Sequence, residues 1–324
     1  MDHRAEAWYS RRTSDWRDWP IAELLENKQR SGTRISVVIP ARNEERTVAS
    51  VVGPLRAALV SGAPLVDELV VIDSDSTDAT ARAAAEAGAA VHRARDVAPE
   101  LGAHRGKGEA LWKSLLVTSG DVLVFVDADL TQWGPHFVTG LLGPLLADTG
   151  VRLVKGFYAR VRTEADGSVS TEGGRVTELL ARPVLSLWWP HLAGVIQPLA
   201  GEWAVRRDLM ESLSIPVGYG VELSTLLDTA ARHGLDALAQ VDLGSRAHRH
   251  QANHDLAVMA AELLAVAERR RGGPHRLPSG VVLEQFDRAD GQLRRRSRPV
   301  PTDERPPVST VLAAGIPRLL RAAE

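Results

Sequence analysis

A chain of 324 residues with 39 basic and 41 acidic side chains carries a formal net charge of −2, which argues against a general polyanion binder, while 44% hydrophobic residues give ample material for a core. Cysteine is absent, which removes disulfides, thiolate metal sites and a cysteine nucleophile and fits a reducing compartment. No stretch approaches the roughly 20 apolar residues of a membrane span, and the start, MDHRAEAWYSRRTSDW, lacks a secretory apolar core; a cytoplasmic protein with no membrane or nucleic-acid partner is expected.

The first 33 residues are polar and aromatic, with Trp8, Trp16 and Trp19 and a short helix predicted over 21–29, and read as an arm that packs on something. Regular alternation begins at Ile35. ISVVIP (35–40) is a strand, 45–59 a helix, ELVVID (68–73) a strand, and the alanine-rich 77–87 a helix that stops at Gly88. A short strand AAVHRA (89–94) precedes RGKGEALWKSLLVTS (105–119), whose glycines open a helix. The run VLVFV (122–126) is apolar without alternation, as suits a strand covered on both faces. Strands alternating with helices of this length predict βαβ units and a mostly parallel sheet. Past Gly134 the pattern loosens. It gives a helix to Ala147, a strand over 151–161, a hairpin-like excursion through Asp166 and Gly167, a helix over 174–189 and a loop QPLAGEWAV (197–205). A helix over 221–233, a strand near 237–243 and a helix over 255–270 follow, and the Pro- and Arg-rich remainder is expected to be partly disordered. The arginine runs at 269–271 and 294–298 read as a solvated helix end and a tail.

Two carboxylates, Asp127 and Asp129, end the buried run. They cannot stay ionised inside it, so they belong at the strand's carboxyl end, where open α/β sheets place ligand crevices and a hard cation or hydrogen-bond donors would keep them charged. PARNE (40–44) closes the first strand, and backbone amides there suit an anion or a nucleotide edge; a plain turn with an acidic first helical turn is the alternative. Residues 73–78, DSDSTD, end the second strand with more acids than one helix cap needs. Gly173-Gly174-Arg175 opens a helix, so amides, a threonine hydroxyl and a guanidinium can converge on a phosphate.

In order, VVIPARNEE (37–45), VVIDSDSTDAT (70–80), RGKGEALWKSL (105–115) and VFVDADL (124–130) resemble the amino-terminal half of a GT-A glycosyltransferase. GGRVTELLARPVL (173–185), QPLAGEWAVRRDL (197–209), GYGVELSTLLDT (218–229) and LGSRAHRH (243–250) narrow the resemblance to the glucosyl-3-phosphoglycerate synthases. These are retaining enzymes that join glucose from UDP-glucose to 3-phosphoglycerate. The likeness runs from about residue 16 to about residue 255.

The resemblance implies an α/β, Rossmann-like GT-A fold: a mostly parallel sheet flanked by helices, with a smaller carboxyl-terminal acceptor-binding portion and an extended tail. The chain then divides into an arm (1–33), a nucleotide-sugar-binding core (34–150), an acceptor-binding and catalytic portion (151–270) and the tail (271–324). It also implies that Pro40, Ala41, Arg42 and Glu44 line the uridine pocket with Ser74, that Lys107 faces the sugar nucleotide, and that Asp127 and Ala128 meet its ribose and diphosphate. Asp129 and His248 would hold Mg²⁺ or Mn²⁺. Gly174, Arg175, Val176, Thr177 and His250 would take the phosphoglycerate, Tyr219, Gly220 and Glu222 the glucose, and Arg246 and Arg249 would lie over the diphosphate. Asp129, Lys107 and Glu222 are the catalytic candidates. Catalysis would rest on positioning and charge stabilisation, with no nucleophilic carboxylate assigned. A homodimer is implied too, with the tryptophan-bearing arm and the tail as material for it.

Three positions depart from the family's usual pattern: Arg42 where leucine is common, Asp75 where glycine is common and His250 where asparagine is common. They keep open a different phosphorylated or carboxylated acceptor, or a GDP-mannose-dependent mannosyl-3-phosphoglycerate synthase. A sugar-nucleotide pyrophosphorylase would need a glycine-rich phosphate loop after the first strand, and 40–44 contains no glycine. A non-catalytic sugar-nucleotide sensor would be expected to lose its metal ligands, whereas both acids of the pair remain.

Overall fold

The computed structural model describes residues 2–163, 169–170, 174–247, 253–272, 278, 280–289 and 292–320. Helix α1 (His3–Arg12), strand β1 (Thr13–Asp15) and α2 (Ile21–Ser31) come first. Then follow β2 (Ile35–Ala41), α3 (Val48–Leu55), β3 (Glu68–Asp73), α4 (Thr80–Glu86), β4 (Ala90–Arg93), α5 (Lys107–Ser114) and β5 (Val122–Phe125). The next stretch adds α6 (His136–Ala147), β6 (Leu153–Thr163), β7 (Val169–Ser170), α7 (Arg182–Trp188), β8 (Trp203–Arg206) and α8 (Arg207–Ser212). The chain continues through β9 (Ile215–Pro216), α9 (Val221–His233), β10 (Leu238–Ala247), α10 (Asn253–Arg271), β11 (Val282–Ala289), β12 (Gln292–Pro299), β13 (Glu304–Arg305) and α11 (Val308–Ala313).

The central sheet runs β1-β10-β6-β8-β5-β2-β3-β4, with β7 paired to β6. Along that order the neighbours are parallel except at β8, which is antiparallel to both β5 and β6; the short β7 is also antiparallel to β6. This is the mostly parallel, helix-flanked sheet expected. Val37 and Ile39 pack on one face with Val48 and Leu142, while Val38, Val70 and Phe125 pack on the other with Trp112 and Leu226. Burial on both faces explains why these strands are continuously apolar.

The antiparallel strand determines where the site lies. Phe125 near the end of β5 and Lys155 of β6 both pair with Trp203, the first residue of β8. Running against β5, β8 begins where β5 ends, so the loop leading into β8 is delivered to the carboxyl end of β5, beside the middle of β6.

Several expectations are corrected. The stretch 197–205 was expected to be a loop, yet Trp203 to Val205 lie within β8. The helix expected from residue 45 starts at Val48 and continues as a π-helical segment, Arg56–Gly62. The arm spends its tryptophans on its own chain: β1 pairs in parallel with β10, Trp8 Nε1 donates to the Leu238 carbonyl at 2.9 Å, and Trp16 leans on His136 at 4.4 Å. The tail contains the antiparallel hairpin β11–β12, and β13 pairs with β9. Its arginines and those ending α10 enter ion pairs: Arg269 and Arg270 reach Glu304 at 3.0 and 2.6 Å, and Arg298 reaches Asp255 at 2.6 Å, while Arg294, Arg295 and Arg296 stay exposed to solvent as expected. Asp166 and Gly167 lie outside the described residues. Among the described residues no helix is long and apolar enough to cross a membrane.

Candidate active site

Four carboxylates and three cations gather around the end of β5. Asp127 and Asp129 follow β5, Glu202 precedes β8, and Glu222 lies in the first turn of α9. The cations are Lys107, Lys155 and Arg246.

Lys107 is the first residue of α5, and its Nζ lies 2.6 Å from Asp127 Oδ1 and 2.8 Å from Glu222 Oε1. The flanking glycines make this reach feasible. Gly106 has φ +141, and a Cβ on Gly108 would sit 1.8 Å from the Pro216 carbonyl oxygen. The first turn of α5 can therefore lie directly on the backbone ahead of α9, with the Gly108 and Glu109 amides donating to the Gly218 and Val217 carbonyls at 3.1 and 2.9 Å. Burial works to lower the Lys107 pKa, but Asp127 and Glu222 overcome it and raise the value above that of an ordinary lysine. Burial likewise works to raise Asp127, while Lys107 and Arg246 hold it below the usual range. Both groups stay ionised at neutral pH.

Arg246, near the end of β10, closes the other side. Its Nη1 donates to Glu202 Oε1 and Oε2 at 2.9 and 3.0 Å and to Tyr158 Oη at 2.8 Å, while Nη2 reaches Asp129 Oδ1 at 3.1 Å and Asp127 Oδ2 at 3.6 Å. Glu202 is fully buried, and burial raises its pKa against the pull of Arg246. Gly201 beside it lies so close to Asp127 that a Cβ would fall 2.1 Å from Oδ2. The Asp127 and Asp129 oxygens are of the kind Mg²⁺ and Mn²⁺ prefer, and Asp129 keeps a third of its side chain exposed, so these donors fit a hard cation. Among the described residues no three His, Cys, Asp or Glu side chains converge as a complete metal site. His248, expected as the second ligand, lies outside the described residues together with Arg249 and His250.

Pro40, Ala41 and Ser74 stand at the carboxyl ends of β2 and β3, where Ala41 pairs with Asp73 and its carbonyl accepts from the Ser74 amide at 2.8 Å. The two following turns interlock. The Asn43, Glu44 and Glu45 amides donate to Ser76 Oγ, Thr80 Oγ1 and Asp78 Oδ2 at 2.9, 2.8 and 3.3 Å. The amides expected to suit an anion are thus already bonded to side chains, and the surplus acids of 73–78 are partly explained by this lock. Asp75 pairs with Arg95 at 3.6 Å, and Arg42 is exposed.

Gly174, at φ +75, opens an irregular helix in which Arg175 is exposed and Thr177 buried; a π-helical segment, Thr177–Ala181, then joins α7. Arg182 ties this helix to the Val195 and Ile196 carbonyls at 3.3 and 3.2 Å, just ahead of the 197–202 loop. On the far side, Tyr219 is exposed, and its amide donates to Glu262 Oε2 of α10 at 2.6 Å. Burial raises the Glu262 pKa to about 7. Sequence reasoning assigned no role to Lys155, Tyr158, Glu202 or Glu262. A signal was present for two of them: Lys155 interrupts the apolar run VRLVKGF, and Glu202 stands immediately before WAV.

Comparison with known proteins agrees with this geometry. A sequence profile for Glycosyl transferase family 2 matches residues 36–184. Glucosyl-3-phosphoglycerate synthase of Mycobacterium tuberculosis (strain ATCC 25618 / H37Rv) is 47% identical over 299 residues, covering 90% of each chain. That of Mycolicibacterium smegmatis is 45% identical, covering 96% of this chain and 99% of the other. A crystal structure of the M. tuberculosis enzyme with Mn²⁺, UDP and phosphoglyceric acid superposes with a TM-score of 0.81 at 45% identity, over 90% of this chain and 95% of that one. The chain belongs to the glucosyl-3-phosphoglycerate synthase family of glycosyltransferases.

Proposed function

We propose that this protein transfers glucose from UDP-glucose to 3-phosphoglycerate, with Mg²⁺ or Mn²⁺, to give glucosyl-3-phosphoglycerate. The observation that carries the reading is the Lys107 ammonium bridging Asp127 and Glu222 beside Asp129 and Arg246, on a chain of this family. The M. tuberculosis enzyme has been crystallised with Mn²⁺, UDP-glucose and phosphoglyceric acid, and with Mg²⁺ and UDP.

In this reading Pro40, Ala41, Arg42, Glu44 and Ser74 bind uridine, and Asp127 and Ala128 meet the ribose and diphosphate. Asp129 and His248 would hold the divalent cation, which when bound neutralises the diphosphate leaving group. Lys107 keeps Asp127 and Glu222 aligned and adds positive charge near the donor. Glu222, fixed by Lys107, accepts hydrogen bonds from glucose hydroxyls alongside Tyr219 and Gly220. Arg246 and Arg249 face the diphosphate, and Gly174, Arg175, Val176, Thr177 and His250 receive the acceptor. The Lys107 salt bridges favour Asp127 and Glu222 as orienting groups over nucleophiles, so rate enhancement comes from positioning and charge stabilisation. A homodimer in the cytoplasm completes the proposal. Exposed Val282, Phe286 and Leu293 on the β11–β12 hairpin favour a second copy there, which light scattering on the purified chain would test.

The test crosses UDP-glucose and GDP-mannose against 3-phosphoglycerate, glycerate and no acceptor, with Mg²⁺, and measures nucleoside-diphosphate release. Release from UDP-glucose that requires 3-phosphoglycerate is expected. Equal release with glycerate or without acceptor would refute the assigned acceptor, and preference for GDP-mannose the assigned donor.

A further inference from the structure

Lys155 is the one cation of the cluster that stability does not account for. It lies in β6, level with the end of β5, and is 2% exposed. Its Nζ donates to the Ala200 carbonyl at 2.8 Å and stands 5.5 Å from the Trp203 ring centroid. Among the described residues it forms no ion pair, so its burial carries a desolvation cost that no direct salt bridge offsets. The carboxylates of Glu222, Glu202 and Asp127 favour its charged form and Lys107 opposes it; burial outweighs them and lowers its pKa to about 7.

What the lysine holds is informative. Ala200 begins the three residues that enter the cluster. Gly201 lies against Asp127 with no room for a side chain, and Glu202 grips Arg246 through both carboxylate oxygens. Displacing the Ala200 carbonyl would move both contacts together.

We propose that Lys155 is a positioning residue for the transfer reaction: by bonding the Ala200 carbonyl it sets residues 200–202, and through them the placement of Asp127 and Arg246 around the donor diphosphate. The inference deepens the function proposed above and rests on it. A polar amine buried at a cost to stability and used to align other groups is the pattern of a site that trades stability for activity.

The test compares the full-length wild type with Lys155→Met in three measurements: thermal unfolding, steady-state kinetics with UDP-glucose and 3-phosphoglycerate, and binding of UDP with Mn²⁺. The variant is expected to melt within about 3 °C of wild type or higher, to lose kcat by about 100-fold, the scale of an ångström misplacement, and to bind UDP with Mn²⁺ about tenfold more weakly. Its KM for 3-phosphoglycerate should change less than about threefold. A folded variant with kcat within about threefold of wild type overturns the proposal and leaves the transferase reading intact. A variant that melts well below wild type, or does not fold, also overturns it by making Lys155 a stability residue. A wild type that fails to turn over this substrate pair removes the transferase reading and the proposal with it.

Discussion

Replacing Arg305 with methionine should cost this protein about 3–5 kcal/mol, because it would strand a buried carboxylate. Arg305 belongs to β13, in a tail whose composition suggested disorder, and its guanidinium meets Glu109 of α5 through two contacts of 2.7 Å. Glu109 is 1% exposed and Arg305 8%. The same guanidinium donates to the Leu101 and Gly102 carbonyls at 2.8 and 2.9 Å and lies 5.0 Å from the Trp112 ring. The cation–π contact contributes about 1–2 kcal/mol to that total when desolvated. Urea unfolding followed by tryptophan fluorescence should show the midpoint falling by roughly 1–2 M, taking a slope near 3 kcal/mol per M. Glu109→Leu alone should cost a similar amount by stranding the arginine, and the double variant should recover most of the loss, as buried pairs exchanged together for apolar groups do. A cost below about 1 kcal/mol for Arg305→Met, or additive losses in the double variant, would refute the assignment of the tail as part of the folded core. Because Glu109 shares the first turn of α5 with Lys107, the single variants should also lower kcat.

Gly201→Ala should lower kcat at least tenfold with little change in melting temperature, since the new methyl would fall 2.1 Å from an Asp127 oxygen already engaged with Arg246; unchanged kinetics would mean the loop can move away. Asp129→Asn should abolish Mn²⁺ binding in the presence of UDP, read by electron paramagnetic resonance, and reduce turnover by about 10³; Mn²⁺ affinity within threefold of wild type would exclude Asp129 as a ligand. Glu262 has an ordinary value of 4.5 raised by burial to about 7, so folding takes up a proton in that window and stability from this group falls as pH rises from about 4.5 to 7. Glu262→Gln should remove that slope, worth on the order of 2 kcal/mol between pH 5 and 8; parallel pH profiles of the two proteins in urea unfolding would contradict it.

β2, β3 and β5 were legible because burial on both faces makes them largely apolar runs, and the acids after β5 could not be inside. What stayed illegible has physical reasons. β8 is four residues long and follows proline and glycine, so it reads as a loop. β1 is three polar residues whose strand character comes wholly from pairing with β10. β12 carries arginines at 294, 295, 296 and 298, which in sequence look like a charged tail, yet Arg295 meets Glu284 on the facing strand at 2.7 Å. In the site, Lys107, Asp127, Asp129 and Glu222 announced themselves through motif position. Lys155 and Glu202 did not, because a charged residue in an apolar run acquires meaning only when its partners, Ala200 and Arg246, are seen in space.

β8 joins two sets of parallel strands, and the clustered charges come from both sides of that seam: Asp127, Asp129 and Lys107 from one, Arg246 and Glu222 from the other. Trp203 is paired to Phe125 on one flank and Lys155 on the other, so a single main-chain register spaces the two groups of charges. Inserting or deleting one residue between Ala200 and Trp203 would shift Ala200 off Lys155 or Glu202 off Arg246, because Trp203 is held in register by both neighbouring strands. Insertions in the outer turns would leave that spacing alone. The tolerance of this fold to length change should therefore run against the usual expectation for loops: the short approach to β8 should resist length change, and insertions should be accepted in connections away from the seam.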